Sequence, residues 1–421
     1  MTKSIIGFLG LGKLGLPCAL AIESKGHRVM GWDICETTRG YITDRAIPYR
    51  EADIQPLLDD TAIELRKLPE MIAMCDIIFV PIQTPHMEAY EGKTRVPFRR
   101  EEFDYTALKA GLSQIADEAA RQERNVVVSV ISTVLPGAID REIRPLLNSF
   151  VKLCYNPFFI AMGTCVADFL HPEFVLLGVD DDDAADKVGA FYATITDAAV
   201  RRMSIASAEC TKVMYNTAIT AKITITNAIG RLCHESLGAN CDDVMAALRA
   251  STARIMSPAY TKVGMGDGGG CHPRDNIALS AVCRAKGWGY DPWGDLMNWR
   301  DGYQGWLAWL MIETGLPMVI LGYTFKPETN LSTGSPALLV QSVISQLGRS
   351  AVLADPEIDG TCDCLVMCSP HCYLIGCKHR VFAEYRFPPG SVVIDPHRYI
   401  LDQDGVEVIR IGENGPSYCR G

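Results

Sequence analysis

The chain predicts an α/β fold in which two parallel-sheet halves are joined by a helical middle containing a long helix. Three observations predict it. The chain opens on an apolar strand, a glycine loop, a helical stretch and a second strand, all between Ser4 and Asp33. Apolar runs at 76–82, 126–132 and 174–178 then alternate with helical patterns, the mark of parallel strands linked by crossover helices. After Pro317 the alternation resumes, with strands expected near 351–355, 364–369, 392–395 and 406–411. The expected domains are 1–203, 204–314 and 315–421.

At 421 residues, 48 % hydrophobic and 21 % charged, the composition is that of a soluble globular protein with ample cores. A formal charge of −10 argues against a nucleic-acid partner. No apolar run reaches the ~18 residues of a spanning helix, so no membrane partner is expected. The N-terminus lacks a secretory pattern, which makes a cytoplasmic location and reduced thiols the expectation for sixteen cysteines. The set Cys362, Cys364, Cys368, Cys372 and Cys377, with His371 and His379, has no paired zinc-ligand spacing, and no metal is expected.

In the first strand–loop–helix unit, Gly10 allows a tight turn, Gly12 the close approach of a pyrophosphate, and Gly15 close helix–strand packing. Lys13 and Leu14 complete the loop, and Asp33 at the end of the second strand can bind ribose hydroxyls. This is the Rossmann dinucleotide fingerprint. An acid at 33 repels a 2′-phosphate, so NAD is expected rather than NADP. The alternative is a structural βα turn. Thr84-Pro85 and Ser132-Thr133 follow two further strands at the edge where ligands sit in such sheets, or they are ordinary loop caps. Asp180–Asp183 reads as a solvated turn and helix start.

From about Ser207 to Gly238 the pattern is one long helix. Lys212 and Asn216 are four apart and share a face, close to that of Asn227; the stripe either lines a pocket or faces solvent. A second helical region begins near Asp242 and leads through Arg254 and Tyr260 to Gly264–Asp275. That glycine run delivers one thiol, Cys271, with Asp275 four residues on. It is either a loop presenting a nucleophile or a flexible turn. Tryptophans 288, 293, 299, 306 and 309 read as helical packing or a partner surface. The second half has no GxGxxG and offers Phe325-Lys326-Pro327 instead, so a different nucleotide-like ligand is expected there.

These motifs, in this order, resemble the UDP-glucose/GDP-mannose dehydrogenase family of nucleotide-sugar dehydrogenases nearly end to end. Gly10–Pro17 is similar to its glycine loop, Ile82–Pro85 to V-x-T-P and Ser132–Pro136 to S-T-V-x-P. Glu209, Lys212 and Asn216 match its helix motif, Gly268–Asp275 its G-G-x-C-x-x-x-D, and Leu321–Pro327 through Ser335-Pro336 its G-x-x-F-K-P … S-P. The resemblance implies a four-electron oxidation of a sugar C6 alcohol to a carboxylate with two NAD, by an enzyme at least dimeric through its helical middle. It implies that Thr133 and Asp275 hold a proton-accepting water and that Lys212 and Asn216 stabilise the developing oxyanion. Cys271 would capture the aldehyde, with Lys212 the neighbouring charge that favours its thiolate. It implies substrate contacts at Phe159, Lys212, Asn216, Arg254, Tyr260, Gly268, Phe325, Lys326 and Arg398.

Two departures bear on the outcome. Where the family carries N/S-P-E-F-L-x-E-G, this chain has Asn156-Pro-Phe-Phe-Ile-Ala-Met-Gly163, with Phe158 and Met162 in place of both glutamates. One of those glutamates assists thioester hydrolysis. His272 is either its substitute or a residue facing solvent or a substrate phosphate. Thr333-Gly-Ser-Pro336 replaces R-E-S-P and removes the usual diphosphate or partner contact. The competing readings are oxidation only to the aldehyde, NAD-assisted epimerisation, or a silent nucleotide-sugar-binding subunit.

Overall fold

Continuous runs of β-branched residues pair edge to edge in the N-terminal half, as strands buried on both faces do. The computed structural model describes residues 3–85, 101–236, 238–257, 259–269, 271–360 and 369–413. The chain forms two compact units, Met1–Ile223 and Thr224–Gly421.

In the first unit the strands are β1 (Ile5–Leu9), β2 (Arg28–Trp32), β3 (Glu64–Leu65), β4 (Ile77–Val80), β5 (Val126–Val130), β6 (Val151–Tyr155), β7 (Val175–Val179) and β8 (Val200–Met203). Their order is β3-β2-β1-β4-β5-β6-β7-β8. The helices are α1 (Gly15–Ser24), α2 (Glu36–Thr43), α3 (Ile54–Asp59), α4 (Leu68–Met74), α5 (Thr106–Arg121), α6 (Cys165–Leu170) and α7 (Asp182–Tyr192). Every residue of β4 and β5 is buried. α5 buries Leu108, Leu112, Ile115 and Ala119, a stripe at helical spacing that covers one face of the sheet. The Asp180–Asp183 run starts α7, where the Asp181 carboxylate accepts from the Ala184 amide at 2.9 Å.

The sheet is parallel, as expected, except at one place. β6 and β7 are antiparallel, with Cys154 opposite Val179 and Tyr155 opposite Gly178. The helix between them, α6, packs on α1, so the chain does not recross the sheet before β7 begins. β3, β6 and β8 were not among the expected strands. β8, Val-Arg-Arg-Met, carries its arginines exposed, a charged edge that hides a strand from a search for apolar runs.

The long helix is α8 (Ile205–His234), within which the first unit gives way to the second. The second unit continues with α9 (Cys241–Arg249), α10 (Cys271–Ala285) and α11 (Pro292–Glu313). It then forms β9 (Met318–Leu321), α12 (Pro336–Gln346), β10 (Ala351–Ala354), α13 (Pro356–Asp359), β11 (Cys372–Ile375), α14 (Arg380–Glu384), β12 (Val392–Asp395) and β13 (Glu407–Arg410). This sheet is parallel throughout, in the order β10-β9-β11-β12-β13. The strand expected at 364–369 falls largely outside the described residues, as do Cys362, Cys364 and Cys368. Among the described residues no helix is long and apolar enough to cross a membrane.

Candidate functional site

Each glycine of the first loop has the conformation its expected task requires. Gly10 has φ +122°, left-handed backbone that a side chain strains. A Cβ on Gly15 would stand 2.3 Å from the Gly10 carbonyl oxygen, so only glycine lets α1 start that close to β1. A Cβ on Gly12 would meet nothing within 4 Å, which leaves its backbone open to a pyrophosphate. Asp33 is half-buried; one carboxylate oxygen accepts from the Leu11 amide and the other from the Cys35 amide, each at 2.8 Å. Those bonds fix the loop against the strand-end acid and leave further acceptor positions for a ribose. Lys13 is exposed, with its ammonium 6.0 Å from the Tyr49 ring, and Leu14 is half-buried. These residues fit NAD.

At the neighbouring strand ends, Thr84 donates to the Thr133 carbonyl at 2.7 Å, and the buried Ser132 hydroxyl reaches back to the Val80 carbonyl at 3.2 Å. The Thr133 side chain is only half-buried and Pro85 is exposed.

Lys212 is the most constrained of the expected site residues. It is 8 % exposed, its ammonium donates to the Phe158 carbonyl at 2.7 Å, and it lies 5.0 Å from the Phe159 ring. Burial pushes its pKa below the ordinary lysine value. Phe159 also packs on Tyr215 and Phe174, at ring separations of 4.6 and 4.9 Å. Asn216, one turn beyond Lys212, is exposed. Glu209, one turn before it, is buried. Its carboxylate accepts from the Gly137 and Ile139 amides, both at 2.7 Å, so this motif acid holds the loop after Thr133. Burial raises its pKa despite those two donors.

Phe158 and Met162, where the resemblance implies glutamates, lie in different surroundings. Phe158 is buried in the core, with ring centroids 5.3 Å from Phe169 and 6.3 Å from Phe79. Met162 is 61 % exposed. The carboxylates near this stretch are committed to its backbone. Asp168 accepts from the Ala161 amide, and Glu51 from the Gly163 and Cys165 amides.

In the second unit, Cys271 is the first residue of α10 and is exposed, as are His272 and Asp275. Asp275 lies one turn on and pairs with Arg274 at 2.8 Å. The preceding loop passes so close to Phe325 that a Cβ on Gly268 would stand 2.9 Å from the Phe325 carbonyl oxygen. Gly270 lies outside the described residues. Lys326 is exposed, with its ammonium 5.4 Å from the Phe325 ring. Arg398 has φ 54° and donates to the Ile411 carbonyl at 2.9 Å. Arg254 is exposed, and Tyr260, φ 61°, is 82 % exposed.

Residues that the sequence reading missed hold the glycine loop before Cys271. Tyr303 donates to the Gly264 carbonyl at 3.0 Å, Gln304 to the Met265 carbonyl, and Arg300 to the Asp267 carboxylate at 2.6 Å. All three lie on α11, which its tryptophans had marked as packing or a partner surface. Of the C-terminal Cys/His set, Cys372 and Cys377 are buried and His379 pairs with Asp355.

Residues 4–196 match the NAD binding domain of the UDP-glucose/GDP-mannose dehydrogenase family, and residues 206–298 match its central domain. A UDP-glucose 6-dehydrogenase of Haloferax volcanii is 27 % identical over 372 residues, 83 % of each chain. A GDP-mannose 6-dehydrogenase of Azotobacter vinelandii is 26 % identical over 370 residues, 84 % of this chain and 81 % of that one. The crystal structure of a GDP-mannose dehydrogenase from Pseudomonas aeruginosa superimposes with a TM-score of 0.85 at 21 % identity, covering 96 % of this chain and 99 % of that chain.

Proposed function

Because the chain belongs to the UDP-glucose/GDP-mannose dehydrogenase family, we propose that it oxidises the C6 alcohol of a nucleotide sugar to the carboxylate through a thioester on Cys271. It is an NAD-dependent oxidoreductase of the nucleotide-sugar dehydrogenase type. The observation that carries the covalent reading is the placement of Cys271: exposed, at the head of α10, after a glycine loop that α11 holds.

Gly10, Gly12, Gly15 and Asp33 hold the cofactor, with Lys13, Leu14, Thr84 and Pro85 at its margin. Bound NAD supplies the two-electron acceptor. The proton-handling roles in alcohol oxidation fall to Thr133 and Asp275. Lys212 and Asn216 donate to the oxygen as negative charge develops on it. The Cys271 sulfur adds to the aldehyde carbon, and the thiol proton passes to the former carbonyl oxygen, giving a thiohemiacetal. A second two-electron oxidation removes hydride from carbon and the proton from oxygen, leaving a thioester. Water cleaves the C–S bond, releasing the carboxylate and restoring the thiol. His272 takes the part of base in that step. Phe159, Arg254, Tyr260, Gly268, Phe325, Lys326 and Arg398 contact the nucleotide sugar, and the working form is a homodimer or larger.

The burial of Phe158 where the family has a glutamate favours one competing reading. A phenyl ring cannot orient the hydrolytic water, and the reaction would then end at the aldehyde or return to an epimeric alcohol. Counting NADH per substrate, across UDP-, GDP-, ADP-, CDP- and TDP-sugars that raise the melting temperature, separates the cases. Two equivalents are expected; one means aldehyde release, and none means epimerisation. His272→Ala should accumulate a Cys271 adduct visible by intact mass. Full turnover by Cys271→Ser would refute covalent catalysis.

A further inference from the structure

We infer that the α11 face carrying Arg300, Tyr303 and Gln304 is a positioning platform for the nucleophile loop, with the Arg300–Asp267 ion pair as its last fixed point before Cys271. The inference deepens the covalent reading of Cys271 and rests on it for its kinetic arm.

Glycines at 264, 266, 268, 269 and 270 make this loop the segment with most conformational freedom to lose. Gly266 and Gly269 use that freedom, at φ +109° and +89°. A nucleophile at the end of such a loop reacts at a useful rate only if something outside the loop fixes it. Positions 300, 303 and 304 are spaced i, i+3 and i+4, so they project from one side of α11. They take Asp267, Gly264 and Met265 respectively. Met265 is 3 % exposed and packs with Leu307, Met311 and the β9 residue Ile320, which ties the loop to the core of the second unit.

The anchors carry the signs of side chains placed for this task. Gln304 is 1 % exposed and its side-chain oxygen has no hydrogen-bond partner among the described residues, so its amide is oriented for the donor it gives Met265. The Arg300 side chain is 14 % exposed, and its guanidinium also reaches Asp301 at 3.3 Å. An ion pair this far out of water is geometrically exacting, and cutting it leaves a poorly solvated charge. From the other side, the Phe325 carbonyl stands against Gly268. The loop is therefore clamped between α11 and the turn after β9, and Asp267 is its charged contact.

Asp267→Asn is the test variant, because its side chain is partly exposed and the change preserves shape. Expected are a fall in kcat on the order of tenfold with KM within about twofold, and faster deuterium uptake by the peptide covering 264–271. Arg300→Met should reproduce the faster uptake, and Arg300→Lys should recover part of both losses. Cys271→Ser should keep wild-type uptake. Unchanged uptake and kcat in Asp267→Asn would overturn the platform; so would a KM increase with kcat unchanged, which would make Asp267 a substrate contact. If Cys271→Ser turned over normally, the nucleophile would fall, while the loop-holding arm, read by exchange, would stand or fall separately.

Discussion

At the end of β1 the Gly10 amide donates to the Trp32 carbonyl at 2.8 Å, and at the end of β9 the Gly322 amide donates to the Ala354 carbonyl at 2.7 Å. In both places an aspartate follows the neighbouring strand, Asp33 after β2 and Asp355 after β10, and accepts amides from the loop opposite. There the likeness stops. Asp33 is half-buried and takes two amides. Asp355 is 1 % exposed and takes the Tyr323, Thr324 and Glu357 amides and the Thr324 hydroxyl, with His379 at 3.4 Å. Burial opposes the charge of both members of that pair. His379 and the loop donors still hold the Asp355 carboxyl well below its usual range, and Asp355 raises His379 to about 9. The first edge keeps its acid available to a ligand. The second has closed around an internal imidazolium, so equal spacing at Gly26–Asp33 and Gly348–Asp355 marks one skeleton with two uses.

Removing each acid is the hardest test of that contrast. Asp355→Asn should cost about 3–5 kcal/mol in denaturant unfolding, since it strands a buried charge. Asp33→Asn should cost under about 1 kcal/mol and weaken NAD binding instead; equal losses of stability would abolish the distinction. The second test is pH. Below the ordinary histidine value of 6.5, both the folded and unfolded states carry the proton and the pair contributes fully. As pH rises through about 9 the folded state loses that proton and the contribution disappears, a loss of roughly 2–4 kcal/mol. His379→Gln should flatten the stability profile between those limits, whereas a change confined to acid pH would contradict the assignment. The smallest effect is steric. A Cβ on Gly376 would stand 2.4 Å from the Gly322 oxygen and 2.7 Å from the Ala337 Cβ, so Gly376→Ala should cost about 1–3 kcal/mol. Gly12→Ala meets nothing and should leave the melting temperature unchanged while lowering NAD affinity.

The first edge was legible because its information is local. Gly10, Gly12, Gly15 and Asp33 form one short strand–loop–helix–strand unit, and each residue type has one reason to be there. Lys212 was legible as a motif position, but its burial was not, because the Phe158 carbonyl that holds it belongs to a distant part of the chain. The antiparallel turn of β7 was invisible, since apolar runs carry no strand direction. Arg300, Tyr303 and Gln304 were missed for a similar reason: their partners lie more than thirty residues upstream, and the tryptophans of α11 drew the reading toward packing. The His379–Asp355 pair was missed because Asp355 was counted with a different strand.

The ammonium of Lys212 rests on a main-chain oxygen, a group that every residue type supplies alike. The side chain at position 158 can therefore change without removing the lysine's support. On the proposed mechanism, a lineage could change the fate of the intermediate at that position while keeping the lysine of the opening oxidation, and the two properties would drift independently.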